Sequence, residues 1–340
     1  MSAHPMPTRA SDLPQLSAFL RAVFRAPPEA RFAAEDVLAW KYLRCDPIWE
    51  GGLSYVLQKN GGLAAHAGVC PVLFRRPDGQ RVKCATVIDW AADRGTPGAG
   101  LVVHHEVMRR AESMFLIGGT ETTWAITSRL GFRPVLEARV YARWVRPLKE
   151  FWLRPKTGRT ALRLLHGLAH APFGRLAKAG RWEISRVPRF DETTRSVLTS
   201  GPRPYGVAER TVAQLNHRLQ CPAVATRGYV LRRLDKIEGY AIASVGTWEA
   251  KIVDIRLQSD DPQDWAAAYA LVTDTLRREP AVCRISALAS VPPLRKALEA
   301  NSYWVSRVEP VSFYDPKRLV DGLLPVDIQF FESDLSYYGA

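Results

Sequence analysis

The stretch that decides the fold is CATVIDWAADRGTPGAGLVVHHEVMRRAESMFLIGGTETTWAITSRLGF, residues 84–132. Residues 86–91 are apolar and largely β-branched apart from Asp89, which predicts a strand. From residue 99 to residue 112 the apolar positions recur at helical spacing. Residues 114–117 predict a second strand, and Thr120 can cap a helix that runs to residue 130. The predicted order is therefore strand, glycine-rich turn, helix, strand and helix.

Between the first strand and the first helix lies a loop with three glycines, Gly95, Gly98 and Gly100. Glycines let the backbone bend and expose its amides. A loop of small residues at a helix N-terminus can hold an anion with backbone N–H groups and the helix dipole. The loop therefore predicts an anion site, although Pro97 removes one amide donor.

This order of elements resembles the core of the GNAT superfamily, the GCN5-related N-acyltransferases. The spacing Gly95-x-x-Gly98-x-Gly100 matches the glycine loop of that family, and Leu130-Gly131-Phe132 matches its corner after the second helix. The resemblance implies that a splayed strand pair holds the pantetheine arm of acyl-CoA and that the loop holds the pyrophosphate.

The resemblance also implies which residues bind acetyl-CoA or another acyl-CoA: Trp90, Ala91, Arg94, Gly95, Gly98, Ala99, Gly100 and Thr120. Some positions depart from the family pattern. Gly95 stands where Arg or Gln is usual, with Arg94 one place earlier. Thr120 stands where an Asn often contacts pantetheine. These departures make the fold a firmer expectation than acetyl transfer.

Acylation of an amine needs a base for the ammonium proton and donors for the thioester oxygen. The candidates are Asp89, His66, Glu121 and Thr127. Asp89 is a base or a satisfied structural carboxylate, and His66 is a base or an ordinary half-buried histidine. Glu121 and its threonine neighbours are catalytic or cap the helix. Thr127 stands where the family often has an acidic Tyr, and a Thr hydroxyl is a poor acid.

His104, His105 and Glu106 do not predict a metal site, because adjacent helix positions point about 100° apart. They predict a solvated helix face. The five cysteines are widely spaced with no C-x-x-C pair, so neither zinc nor a disulfide framework is expected.

The chain of 340 residues predicts two GNAT-like mixed-sheet units in tandem, of α/β (α+β) class. Residues 1–145 form the unit with the cofactor loop, closed by a strand over residues 135–144. Residues 146–200 form a basic connector. Residues 201–340 form a degenerate second unit, whose loop position carries Asp260, Asp261 and Asp264 and no glycine. Acyl-CoA is therefore expected in the first unit only, and the second is expected to shape the acceptor groove.

The net charge of +13 is concentrated between residues 143 and 189. This segment has twelve basic residues and only two acidic ones, Glu150 and Glu183. This segment predicts contact with an anionic partner, such as a carrier protein, tRNA or a membrane surface. A connector whose basic residues are simply solvated explains the same composition. No run of apolar residues is long enough to span a membrane, and the N-terminus lacks a secretory signal pattern, so a cytoplasmic protein is expected.

Three functions fit these observations. The first is a bacterial-type tandem acyltransferase that uses acyl-CoA or an acylated carrier protein and acts on a small-molecule or carrier-bound amine. The second resembles the Fem-type aminoacyl-tRNA-dependent transferases, which the basic segment favours and the glycine loop disfavours. The third is a catalytically silent binding module.

Overall fold

The computed structural model describes residues 4–153, 165, 168, 175–199, 201 and 203–336. The chain divides into two compact units, and neither is continuous in sequence. Unit 1 comprises Met1–Val135 and Pro310–Leu324, and unit 2 comprises Leu136–Glu309 and Pro325–Ala340.

The strands, in chain order, are β1 Met6–Pro7, β2 Ser54–Lys59, β3 Gly62–Arg75, β4 Arg81–Ala92, β5 Ser113–Ile117, β6 Arg133–Trp144, β7 Trp182–Val187, β8 Gly206–Ala208, β9 Ala225–Arg233, β10 Lys236–Val245, β11 Glu249–Leu257, β12 Arg284–Ala289, β13 Trp304–Tyr314 and β14 Val326–Asp327. The α-helices are α1 Leu13–Phe24, α2 Glu35–Tyr42, α3 Ala99–Arg110, α4 Glu121–Arg129, α5 Pro147–Leu153, α6 Arg195–Leu198, α7 Val212–Leu219, α8 Pro262–Arg277 and α9 Pro292–Ala300. Short 3₁₀ helices cover Ala10–Asp12, Arg31–Ala33, Glu192–Thr194, Asp321–Leu323, Phe330–Glu332 and Asp334–Ser336.

The sheet of unit 1 has the order β1-β2-β3-β4-β5 and ends on the last residues of β13. Strands β4 and β5 pair in parallel, because α3 crosses over between them, and the other neighbours pair antiparallel. Met114, Phe115 and Val311 are fully buried where β5 meets β13. The unit therefore takes its last strand from a distant part of the chain.

The sheet of unit 2 has the order β13-β6-β12-β11-β10-β9-β7, with β14 paired to β8 beside it. Strands β11 and β12 pair in parallel and are connected through α8, and β6 pairs antiparallel with β12. The core of the unit packs α8 and α9 on this sheet around Trp265, Tyr269 and Leu276.

The mixed α/β fold predicted from the sequence is confirmed, and most predicted elements lie within a few residues of their observed bounds. Thr120 caps α4 as predicted, its Oγ1 accepting from the amide of Thr123 at 3.2 Å. Strand β7 was not predicted. It lies in the segment expected to be a connector and forms an edge strand against β9. Short strands such as β7 carry a weak period-two signal that basic residues obscure.

Candidate functional site

The centre of unit 1 is a gap between two parallel strands. Strands β4 and β5 pair only at Cys84 with Ser113 and at Ala85 with Met114. Beyond these pairs β4 continues to Ala92, while β5 pairs with β13 on its other side. A strand that leaves its ladder presents N–H and C=O groups that need other partners. The divergence therefore leaves an edge of β4 open to a ligand with amide groups.

A β-bulge interrupts β4 beside this gap. Gly68 of β3 pairs with Ile88, but His66 pairs with Ala91, so β4 carries an extra residue at this point. Asp89 lies in the bulge with a φ of 49°. Bulges redirect side chains and are common beside active sites.

The carboxylate of Asp89 is buried and already has partners on α2. It forms an ion pair with Lys41 and accepts a hydrogen bond from the Tyr42 hydroxyl at 2.5 Å. Lys41 also donates to the carbonyl of Phe32 at 3.0 Å. A buried charge needs such pairing to offset its loss of hydration. Asp89 therefore ties the bulge to α2, and neither Lys41 nor Tyr42 was singled out from the sequence.

His66 lies next to the bulge with its ring fully buried. Its Nδ1–H donates to the backbone carbonyl of Asp89 at 2.9 Å, and Nε2 has no hydrogen-bond partner among the described residues. Burial lowers the pKa of His66 to about 4. The ring is therefore neutral at physiological pH, with the free lone pair on Nε2.

The glycine loop leads from β4 into α3. Gly98 has a φ of 83° and occupies the N-cap position, and a Cβ placed there would meet no atom within 4 Å. Among the described residues, the amides of Gly98 and Gly100 donate to no backbone carbonyl, whereas those of Ala99 and Leu101 do. Two free amides at a helix N-terminus, in an open loop, fit an anionic group such as a phosphate.

Packing against β4 fixes where this helix begins. A Cβ on Gly100 would lie 3.1 Å from Cβ of Ala92, and Nε1 of Trp90 donates to the carbonyl of Gly100 at 2.9 Å. Trp90 thus holds the first turn of α3 against the strand. Arg94 is exposed in the loop, and so is Asp93, whose carboxylate accepts from Thr96.

The remaining predicted site residues lie on α4. Glu121 is exposed in its first turn. Thr127 is buried, and its hydroxyl donates to the carbonyl of Thr123 at 2.9 Å. Because that proton is engaged within the helix, acid catalysis by Thr127 would require breaking this bond. Asp89 and His66 are brought together, whereas Glu121 and Thr127 belong to a separate element.

His104 contradicts the prediction of a solvated helix face. It is fully buried, with its ring tilted against that of Trp90 at a centroid distance of 4.6 Å and edge-on to that of Phe132 at 6.0 Å. Neither ring nitrogen has a partner among the described residues, and burial lowers its pKa to about 4. A signal was present in the sequence, because His104 follows Gly100 by four residues and precedes Val107 by three, on the buried face.

Unit 2 has the same strand divergence but a different loop. Strands β11 and β12 pair from Glu249–Arg284 to Ile252–Ala287 and then separate. The carboxylates of the following loop are already engaged. Asp260 pairs with Arg203, Asp261 caps α8, and Asp264 accepts from Nε1 of Trp182 at 2.8 Å. This loop offers negative charge where the loop of unit 1 offers free amides.

Within the described part of the chain, no group of three His, Cys, Asp or Glu side chains could hold a metal ion. No helix in that part is both long and apolar enough to cross a membrane.

Solved structures with this architecture include several acyltransferases. A GCN5-related N-acetyltransferase from Anabaena variabilis aligns with a TM-score of 0.59 at 13% identity, over 92% of this chain and 73% of that one. A tandem GNAT protein from the clavulanic acid biosynthesis pathway gives 0.54 at 10% identity, over 92% and 98%. Saccharomyces cerevisiae N-myristoyltransferase with bound myristoyl-CoA gives 0.60 at 13% identity, over 93% and 79%.

These likenesses confirm the GNAT fold predicted from residues 84–132, and at such low identity they show the fold alone. No protein-family model matches the sequence, and no curated protein matches it either.

Proposed function

We propose that this protein is an N-acyltransferase that takes its acyl group from acetyl-CoA, another acyl-CoA or an acylated carrier protein, and transfers it to an amine. The observation that carries the proposal is the path of β4. One stretch, residues 86–100, first borders the strand gap and then forms the glycine loop with its two free amides, those of Gly98 and Gly100. An acyl-CoA has the matching features, with amides along its pantetheine arm and an anionic pyrophosphate at its end.

In this proposal different residues of unit 1 bind different parts of the acyl donor. The Gly98 and Gly100 amides bind the pyrophosphate, and Trp90, Ala91 and Ala99 hold the strand and helix that carry them. The open edge of β4 binds the pantetheine arm and aims its amides at the carbonyl oxygen of the thioester. Arg94 and Thr120 lie at the exposed margins of the site, where the resemblance also implies contacts.

Acyl transfer forms a C–N bond, breaks the C–S bond of the thioester and releases a thiolate and a proton from the amine. We propose that His66 accepts the proton after the C–N bond has formed, because the cationic nitrogen of the tetrahedral intermediate is much more acidic than a free ammonium, and Nε2 of the neutral ring has a free lone pair. Since Nε2 is buried, the proton reaches it through a water molecule. Asp89 positions this ring through its backbone carbonyl. The roles predicted for Glu121 and Thr127 stay predictions.

The proposal is tested by calorimetric titration of CoA into the wild-type protein and a Gly98→Asp variant. The added carboxylate would stand beside the bound pyrophosphate, so we expect binding to wild type and at least a hundredfold weaker binding to the variant, roughly the scale of an unpaired like-charge contact.

Gly79→Asp is the matched control. Gly79 has a φ of 87° and, like Gly98, nothing within 4 Å of an added Cβ, but it lies in the turn between β3 and β4. The control carries the same backbone strain and charge and should bind CoA as wild type does. Equal binding by all three proteins would contradict the assignment of the loop.

We also infer that the segment over residues 143–189 meets an anionic partner. Three of its basic side chains are used inside unit 2, where Arg143, Arg146 and Lys149 donate to backbone carbonyls. Apolar side chains nearby are exposed, including Trp152 at 70% and Leu148 at 56%. Arg154, Lys156, Arg159 and Arg163 lie outside the described residues.

Binding of tRNA, anionic vesicles and an acyl carrier protein, each measured against salt concentration, separates the alternatives. Steep salt dependence with tRNA and no CoA binding would favour the Fem-type function. Binding of neither CoA nor tRNA, with no turnover on a panel of amines, would favour the silent module.

A further inference from the structure

In unit 2 another segment of the same chain makes hydrogen bonds beside the point where two strands separate. Strands β11 and β12 separate after the pair Ile252–Ala287, just as β4 and β5 separate after Ala85–Met114 in unit 1. Residues 326–332, which we term the C-terminal strap, contact β11 and the residue that directly follows β12. The strap begins with β14 and ends with the 3₁₀ turn Phe330–Glu332.

On the β11 side, the contact is made by the carboxamide of Gln329. Its Oε1 accepts from the amide of Ile255 at 3.0 Å, and its Nε2 donates to the carbonyl of the same residue at 3.2 Å. Ile255 lies three residues beyond the last β11–β12 pair. One side chain therefore satisfies both the N–H and the C=O of Ile255, as the amide of a neighbouring strand would.

On the β12 side, the contact is made by Ser290, which lies three residues beyond Ala287. Its hydroxyl donates to the carbonyl of Val326 at 2.6 Å and accepts from the amide of Ile328 at 2.7 Å. The strap thus links Ile255 of β11 to Ser290, the residue after β12, and each lies three positions beyond the last pair of the two strands.

Burial and charge pairing anchor the strap. Val326, Ile328, Gln329 and Glu332 are each no more than 1% exposed. Glu332 forms an ion pair with Arg210, whose guanidinium also contacts a carboxylate of β11, that of Asp254, at 3.1 Å. Asp327 meets Nη1 of Arg256, also on β11, at 3.2 Å. A segment buried and paired in this way is part of the fold of unit 2, not a loose tail.

We propose that the gap between β11 and β12 is a peptide-binding site, that the chain fills it with its own residues 326–332, and that unit 2 therefore takes no acyl donor. The backbone groups of Ile255 can serve the carboxamide of Gln329 or the amide of an acyl donor's pantetheine arm, but not both. The exclusion of the donor rests on the proposed function, whereas the peptide site does not.

Hydrogen exchange at the Ile255 amide tests the peptide site without any ligand. In wild type this amide should exchange as slowly as its neighbours in β11. In Gln329→Ala it loses its acceptor, and we expect about tenfold faster exchange there, the scale of one lost hydrogen bond. Gln263→Ala, which removes the same carboxamide from an exposed position on α8, should leave the Ile255 amide unchanged.

A second variant gives an independent measurement in case Gln329→Ala misfolds. Ser290→Ala should speed exchange at the Ile328 amide, which donates to this hydroxyl. Rapid exchange at Ile255 and Ile328 in the wild-type protein, or unchanged exchange in both variants, would overturn the peptide site.

The stoichiometry of CoA binding tests the exclusion. We expect one CoA per wild-type chain, lost in Gly98→Asp. Two CoA per wild-type chain would overturn the inference about unit 2. Failure of CoA to bind at all would refute acyl-CoA as the donor in the proposed function instead, and the exchange results would still decide the peptide site.

Discussion

Two buried histidines in unit 1 differ in the hydrogen bonds that their rings make. His66 has one ring nitrogen bonded to the Asp89 carbonyl and the other free, an arrangement that leaves a defined lone pair. His104 has neither nitrogen bonded among the described residues and is held by aromatic contacts alone. Burial lowers the pKa of both residues to about 4, so both are neutral near pH 7.

The lowered pKa of His104 makes the stability of the protein depend on pH. An unfolded histidine titrates near 6.5, so the unfolded chain binds this proton more tightly than the folded protein. The contribution to stability is fully present above pH 6.5 and is lost as the pH falls from 6.5 towards 4. Across that range the loss is about 3 kcal/mol for a fully buried histidine.

We therefore expect His104→Phe to reduce the loss of thermal stability between about pH 7.5 and pH 5 by several degrees. Phenylalanine keeps the contacts with Trp90 and Phe132 and cannot be protonated. The melting temperature of each protein at the two pH values is the measurement. His105→Phe makes the same change at an exposed position and should keep the wild-type pH dependence. Equal losses in His104→Phe and wild type would contradict the account of His104.

At the scale of elements, the bulge in β4 depends on close packing between β3 and α2. Tyr42, which bonds Asp89, lies directly over Gly68. A Cβ on Gly68 would stand 2.6 Å from Cε1 and 2.8 Å from Cζ of Tyr42. Only glycine allows α2 to approach the strand closely enough for this hydrogen bond.

Gly68→Ala should therefore push Tyr42 away from the bulge and destabilise the protein by about 1–3 kcal/mol. Gly62→Ala is the control on the same strand, since its Cβ would meet only the Lys59 carbonyl, at 3.9 Å. Urea unfolding of the two variants measures the difference. A Gly68→Ala protein as stable as the Gly62→Ala protein would show that Tyr42 does not need this contact.

At the scale of the whole molecule, neither unit is built from one continuous piece of chain. Strand β5 takes residues 311–314 of β13 as its antiparallel partner, and β6 pairs with β12 in unit 2. Residues 1–145 on their own contain β5 but not the strand that covers it. Its unpaired edge, which carries the fully buried Met114 and Phe115, would then be open to other chains.

A fragment of residues 1–145 should therefore aggregate or lack fixed tertiary packing, and a peptide of residues 304–324 should restore a monomeric, cooperatively unfolding species. Size-exclusion chromatography and near-ultraviolet circular dichroism report the two states. A fragment that is monomeric and unfolds cooperatively without the peptide would support a boundary near residue 145.

Local chemistry in the sequence was enough to predict the central stretch of unit 1. The β-branched run before Asp89, the three glycines, and the Thr120 cap act over a few residues, so they predict strand, loop and helix without long-range information. The sequence also shows directly that the corresponding loop of the second unit has no glycine and carries three aspartates. These local signals also indicate which loop could bind an anion.

The partners of these residues were decided only by the tertiary structure. Packing brings Lys41 and Asp89 together as an ion pair and buries His104. It also brings Gln329 to the backbone amide of Ile255. The pairing of β13 with both β5 and β6 has the same cause. The alternation of apolar and polar residues indicates which face of a strand is buried. It does not indicate which strand will pair with it, because that choice depends on the whole packed sheet.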